Sequence, residues 1–212
     1  MEIFHDTNDY WACNNLLYHL NDSSKPLNWK RDLKQSNVSV FGRPDHWQER
    51  EPLVLVLCYC IHSNHIHLLL KEIKEDGISK FMQGLPNSLS QRYNKKYGGS
   101  GSIFQGPYQS RHIETDADLH NVALYIMAKN VMERFPGGIS SAAQNFDGAW
   151  KWAVEDNFSS FPDYGANRNS PITEKEVLGD HFPVPARFKN EVSDYISNYI
   201  ERERELGTLA LD

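Results

Sequence analysis

LVLVLCYCIHSNHIHLLL, from Leu53 to Leu70, decides the fold. Leu53 to Ile61 is an unbroken apolar run of nine residues. It is too short for a typical core helix and far below the roughly 20 residues that span a bilayer. Its Val and Leu content fits a strand buried on both faces. His62-Ser63-Asn64 interrupts the run with turn-prone residues. His65 to Leu70 then reads as a second strand, so the pair predicts a hairpin. Strand side chains at i and i+2 share a face, which sets His65 beside His67.

Upstream, Tyr10 to Leu20 carries Trp11, Leu16, Leu17 and Leu20 at helical spacing. Asn21 to Arg50 is polar, contains Pro26 and Pro44, and reads as an insertion or long loop. Downstream, Ile78 to Tyr97 has a helical pattern through Phe81, Leu85, Leu89 and Tyr93, which Pro86 is expected to kink or break. Gly98 to Gly101 reads as a flexible link and Ile103 to Ile113 as extended chain. Thr115 to Glu133 is the clearest helix, with Thr115 as its cap and a stripe through Leu119, Val122, Ala123, Ile126, Met127, Asn130 and Val131. Pro136-Gly137-Gly138 ends it. An aromatic stretch follows (Phe146, Trp150, Trp152, Phe158, Phe161, Tyr164), then an amphipathic helix from Phe188 to Ile200. This order predicts an α+β domain with an antiparallel sheet and a C-terminal helical tail.

The chain has 212 residues, 40% hydrophobic and 12% aromatic, enough for one ordinary domain plus an appendage and unlike a disordered or repetitive sequence. Met1 to Trp11 lacks a basic start and an apolar run. Three cysteines do not suggest a disulfide framework. The expectation is a cytoplasmic protein without membrane association. A net charge of −6 weighs against nucleic acid as partner. Yet Gly77 to Ile113 contains no acidic residue and interleaves Lys80, Arg92, Lys95, Lys96 and Arg111 with Phe81, Tyr93, Tyr97, Phe104 and Tyr108. Such a stretch suits phosphates and bases of a single strand. A loop-rich segment with solvated lysines explains it equally well.

His65 and His67 can hold one divalent metal from a rigid strand, or be strand histidines bonded to neighbours. Cys58, Cys60 and His62 share one parity and offer a competing zinc reading, although buried cysteines more often act as small hydrophobes. Tyr125 lies roughly 120° from the centre of its helix's apolar stripe at about 100° per residue. It can reach over the histidine-bearing face, or be a boundary tyrosine with a half-buried ring. Lys129 follows one turn later on the same side.

Three segments carry a resemblance. YCIHSNHIHLLLKE (Tyr59 to Glu72), GSIFQGPYQSRHI (Gly101 to Ile113) and LHNVALYIMAKNV (Leu119 to Val131) resemble, in order and spacing, the insertion-sequence-type and REP-associated single-tyrosine transposases with a His-hydrophobic-His (HUH) motif. The similarity spans roughly Ile3 to Phe135 and, more loosely, Trp152 to Pro171. It implies a ferredoxin-like (RRM-like) antiparallel sheet with helices on one face over residues 1–135, and an aromatic and helical extension over 136–212. It implies His65 and His67 as ligands of Mg²⁺ or Mn²⁺ and Tyr125 as the nucleophile, forming a 5′-phosphotyrosine bond with single-stranded or hairpin DNA. It also implies a homodimer, and DNA contacts for which Arg92, Lys95, Lys96, Gln105 and Arg111 are the candidates.

The sequence departs from that family in three places. Where the family offers Asn or Gln as a third metal ligand stands Lys129, whose ammonium has no lone pair; it is a third-ligand position left to water, or a phosphate contact. Ser63 stands where the family has Pro. No opening strand precedes Ile3, so a first strand is expected to be missing. A catalytically impaired or domesticated hairpin-DNA binder, and a replication or relaxase-type nicking enzyme, are the alternative readings.

Overall fold

The computed structural model describes residues 2–209. Chain contacts divide it into two compact units, both of which run through the hairpin: Met1–Val56, Ser63–His65 and Leu70–Arg111 form one, and Leu57–His62, Ile66–Leu69 and His112–Asp212 the other. The main division falls at Arg111.

The hairpin is β1 (Val54–Ile61) paired with β2 (Ile66–Glu72). Its short connection can join only antiparallel neighbours. Every residue of β1 except Leu55 is buried, as an unbroken apolar run requires. Among the described residues the sheet holds these two strands. The fold is therefore α+β, with helices supplying most of the regular structure.

In the first unit, α1 (Thr7–Leu20) starts earlier than its apolar pattern because Asp6 accepts a bond from the Asp9 N–H at 3.1 Å. The side chain of Asn21 ties the end of α1 to the start of β1. Its Oδ1 accepts from the Leu53 and Val54 N–H groups at 2.9 Å, and its Nδ2 donates to the Val54 carbonyl at 2.8 Å. The segment expected to be a loop contains α2 (Trp29–Ser36). WKRDLKQS carries just Trp29 and Leu33 on its apolar side, and of these Trp29 is buried, stacked on His19. Asp22 organises the rest, accepting bonds from Ser24, Glu51 N–H and Arg43. α3 (Gly77–Tyr97) packs on α1 and runs through Pro86 without ending. Proline in a helix interior costs about 3 kcal/mol; burial of Phe81, Leu85 and Leu89 to either side of it offsets that cost. Gly77 is required at its start, since a Cβ there would sit 2.3 Å from the Leu53 carbonyl oxygen. Ile103 to Pro107 bends around Gly106-Pro107, and the expected extended segment forms no strand.

In the second unit, the outer edge of β1 is closed by an irregular segment. The Ile61 N–H donates to the Phe158 carbonyl at 3.0 Å and the Ser160 N–H to the Tyr59 carbonyl at 2.9 Å. The Tyr59 N–H donates to Ser160 Oγ at 2.9 Å, and the Tyr164 hydroxyl to the Leu57 carbonyl at 2.7 Å. Leu57, Tyr59 and Ile61 share one parity, so one edge is satisfied along its length without a full strand. Thr115 caps α4 (Asp116–Leu124) by accepting from the Asp118 N–H at 3.1 Å. A π-helical turn, Tyr125–Lys129, and α5 (Asn130–Glu133) continue it. The expected helix thus has the right extent but contains one wide turn. There follow α6 (Gly138–Gln144), α7 (Phe146–Ala153), α8 (Phe161–Gly165), α9 (Glu176–Gly179) and α10 (Pro185–Leu209). Helix α10 lays Phe188, Val192 and Ile196 into the core and packs on α6, α8 and the π turn. Arg134 is bidentate on Asp156, and Arg168 on Asp163. No helix among the described residues is long and apolar enough to cross a membrane.

Candidate active site

The end of β1 and the start of β2 bring three imidazoles together. His62, His65 and His67 each offer a ring nitrogen, and these nitrogens lie within 4.8 Å of one another. His62 is buried, His67 half-buried and His65 exposed. The rings of His62 and His67 meet edge to face, 5.9 Å between centroids. His65 Nδ1 donates to Asn64 Oδ1 at 2.6 Å, which fixes the tautomer of that ring. The hairpin therefore brings the two predicted histidines together and adds His62, which sequence spacing had grouped with Cys58 and Cys60. Those cysteines are not in the cluster. Burial pushes the Cys58 thiol well up and the Cys60 thiol to about 12, so both hold their protons as core residues. The signal for His62 lay in the short hairpin connection, which folds a residue before the turn back onto those after it.

The helix after Thr115 supplies the phenol. The Tyr125 ring stands 5.6 Å from that of His67, at 86° between planes. Its exposure of 39% contrasts with Ile126, Met127 and Ala128, which are buried. The turn that carries it is closed by the Asn130 N–H donating to the Tyr125 carbonyl, five residues apart. Single π turns interrupt helices frequently at functional sites. Lys129 Nζ lies 5.7 Å from the Tyr125 ring centroid and 2.8 Å from Glu133 Oε2. Burial lowers the Lys129 ammonium's pKa, but its bond to Glu133 and the charge there raise it overall. The Tyr195 phenol, on α10, is pushed up by burial and by its neighbour Tyr125.

The donor set fits a divalent metal: three imidazoles on one rigid turn, a phenol at their edge, and an outer-shell amide fixing one tautomer.

The candidate DNA contacts belong to the first unit. Lys95, Gln105 and Arg111 are exposed. Lys96 is held by Asp6 at 2.7 Å and Asp9 at 2.6 Å, and Arg92 lies 4.0 Å from Asp9. Gln105 lines an open cleft of about 490 Å³ with Ile3, Asn64, Ser102, Ile103 and Phe104.

Residues 45–129 match a family model described as "Transposase IS200 like". Over that segment, about two fifths of the chain, the sequence is similar to the IS200-like transposases. The transposase segment takes in the hairpin, α3, the bend around Gly106 and the helix as far as Lys129. Comparison with curated proteins and with solved structures gave no match.

Proposed function

We propose that the chain is a metal-dependent transposase that cuts and rejoins single-stranded DNA through Tyr125. The approach of the Tyr125 ring to His67, itself part of the imidazole cluster, carries this reading. The Tyr125 oxygen attacks the scissile phosphorus and loses its proton. The bond to the 3′ oxygen breaks, that oxygen takes up a proton, and the phosphate stays on Tyr125 as a 5′-phosphotyrosine. A 3′-hydroxyl from a second DNA end reverses the step and frees the phenol. Bond energy is conserved, so no external energy source is needed. Mg²⁺ or Mn²⁺ bound at His65 and His67 would withdraw charge from the phosphate and favour the phenolate. A phenol with an ordinary pKa of about 10 needs such help.

In this reading residues 1–135 derive from a ferredoxin-like HUH domain, and residues 136–212 are an extension that supports the nucleophile's helix. Lys95, Gln105 and Arg111 guide hairpin DNA, the protein acts as a dimer, and its place is the cytoplasm. A hairpin-DNA binder without chemistry is the second reading, favoured by Lys129 standing at the third-ligand position, bound to Glu133.

The test is incubation with labelled hairpin-flanked single strands and Mn²⁺. The expected result is a denaturant-resistant adduct that Tyr125→Phe abolishes, together with strand-transfer products. DNA binding without an adduct supports the second reading, and simple nicks without transfer point to a nicking enzyme.

A further inference from the structure

We infer that His62 is the third protein ligand of the metal centre, making it a three-imidazole site that selects a transition ion such as Mn²⁺ or Co²⁺ over Mg²⁺. The inference rests on the reading of His65 and His67 as ligands and names what completes them.

The helix offers no donor that fits. Lys129 presents an ammonium, which has no lone pair, and Glu133 engages it at 2.8 Å. Asn130, the next residue, is 1% exposed and is buried in the core together with Val131 and Met132. The hairpin does offer one. His62 lies on the same six-residue stretch as His65 and His67, its nitrogen within 4.8 Å of theirs. Rotation about the side-chain torsions closes that spread onto one ion. The packing of His62 edge-on against His67 already holds it in place, and it is 8% exposed. Three protein ligands with the remaining positions left to water and substrate is the usual plan of a catalytic site.

The donor chemistry then sets the metal class. Mg²⁺ takes oxygen ligands and sheds water reluctantly. Imidazole nitrogens suit transition ions, with affinity rising from Mn²⁺ through Co²⁺. A centre with three imidazoles and no carboxylate therefore prefers Co²⁺, and less strongly Mn²⁺, to Mg²⁺.

The experiment adds Co²⁺ to the metal-free full chain, followed by visible absorption and by proton NMR of the paramagnetic protein. Three shifted imidazole N–H signals are expected from the wild-type chain, and millimolar Mg²⁺ should not displace the ion. His62→Ala is expected to weaken Co²⁺ binding at least ~10-fold. His62→Asn, which keeps a buried polar group, guards against loss of folding and should also weaken it. Lys129→Ala should leave affinity within about twofold. Two imidazole signals, no Co²⁺ binding, wild-type affinity in both His62 variants, or a larger loss in Asn130→Ala than in His62→Ala would each overturn the inference. The phosphotyrosine adduct is scored separately. Three-imidazole binding without an adduct removes the transposase reading and leaves this site standing. An adduct with unaltered metal binding in the His62 variants removes only His62.

Discussion

Tyr125 meets His67 edge to face, ring centroids 5.6 Å apart. That contact links a helix that begins at Asp116 to a strand that begins at Ile66. The wide turn at Tyr125–Lys129 makes it possible, because Ile126 to Ala128 go into the core while Tyr125 stays 39% exposed.

Removing the Tyr125 hydroxyl should therefore separate chemistry from folding. Tyr125→Phe keeps the ring against His67 and deletes only the proposed nucleophile. Adduct formation should fall at least ~10³-fold. The thermal transition should move by less than about 0.5 kcal/mol, as for other exposed positions, and affinity for hairpin DNA should persist. Residual adduct at wild-type level would mean another residue attacks.

Asn64 tests the outer shell. Its Oδ1 fixes the His65 ring through a 2.6 Å bond from Nδ1. Asn64→Ala should weaken Mn²⁺ binding about 10- to 100-fold, the usual effect of removing such a partner, while Asn64→Asp restores most of it. Calorimetric titration reads both. Unchanged affinity in Asn64→Ala would show that this bond does not orient a ligand.

Asp9 governs the basic face of the first unit. Burial pushes its carboxyl up, but bonds from Lys96, the Tyr97 hydroxyl and the His5 N–H outweigh it and hold the group below 3.8. A lowered carboxyl contributes stability above its ordinary value, and that contribution is lost as pH falls through the folded one. Asp9→Asn should therefore flatten the loss of stability below pH 4, measured by acid titration of the thermal midpoint. It should also release Arg92 and loosen Lys96, which Asp6 still holds, raising single-strand affinity roughly three- to tenfold and steepening the salt dependence by about one charge. Lys95→Glu, at an exposed position, should do the reverse. A salt slope indifferent to both changes would remove this face from the DNA interface.

The hairpin, α1, α3 and the helix after Thr115 were legible because each buries a continuous apolar pattern. The Thr115 cap was legible from residue type alone. Other features escaped for physical reasons. Helix α2 is only eight residues long, with Trp29 and Leu33 as its apolar residues, too short a pattern to stand out from a polar loop. The signal of Pro86 is local, while the burial that overrides it is not. The π turn follows from tertiary packing of Ile126, Met127 and Ala128, which a 3.6-residue period does not describe. His65 and His67 were found from strand alternation. His62 was grouped with Cys58 and Cys60 because alternation along one strand cannot see across a turn. The closure of β1 by residues 158–160 was invisible because Ser159 and Ser160 carry no strand signal; Ser160 works through a side-chain oxygen.

The buried ion pairs of the second unit should dominate its stability. Asp163 is fully buried and accepts from Arg168, the Ser170 N–H and the Thr173 hydroxyl. Asp163→Ala leaves the Arg168 guanidinium without its charge partner, and breaking such a pair costs about 3–5 kcal/mol. At 2–4 °C per kcal/mol for a chain of this size, the midpoint should drop roughly 6–20 °C. Asp163→Asn, which keeps hydrogen-bonding capacity, should lose less. A drop under 2 °C by calorimetry would place these ions outside the cooperative unit.

Lys129 decides whether its departure from the family pattern disables the site or serves it. Its ammonium lies 5.7 Å from the Tyr125 ring centroid, close enough to contact a phosphate brought to that ring. Lys129→Ala should then slow adduct formation about 10- to 100-fold without changing metal affinity. Burial opposes the charge on Lys129 and Glu133 restores it, so its pKa is raised above 10.5. A raised lysine contributes stability fully below its ordinary value and loses it as pH rises through the folded one. Glu133→Gln should bring that alkaline loss to lower pH and lower the upper limb of the pH–rate profile with it. Single-turnover adduct formation between pH 8 and 11 reads both effects. If Lys129→Ala instead accelerates the reaction, the lysine blocks the third-ligand position and weakens the proposed site.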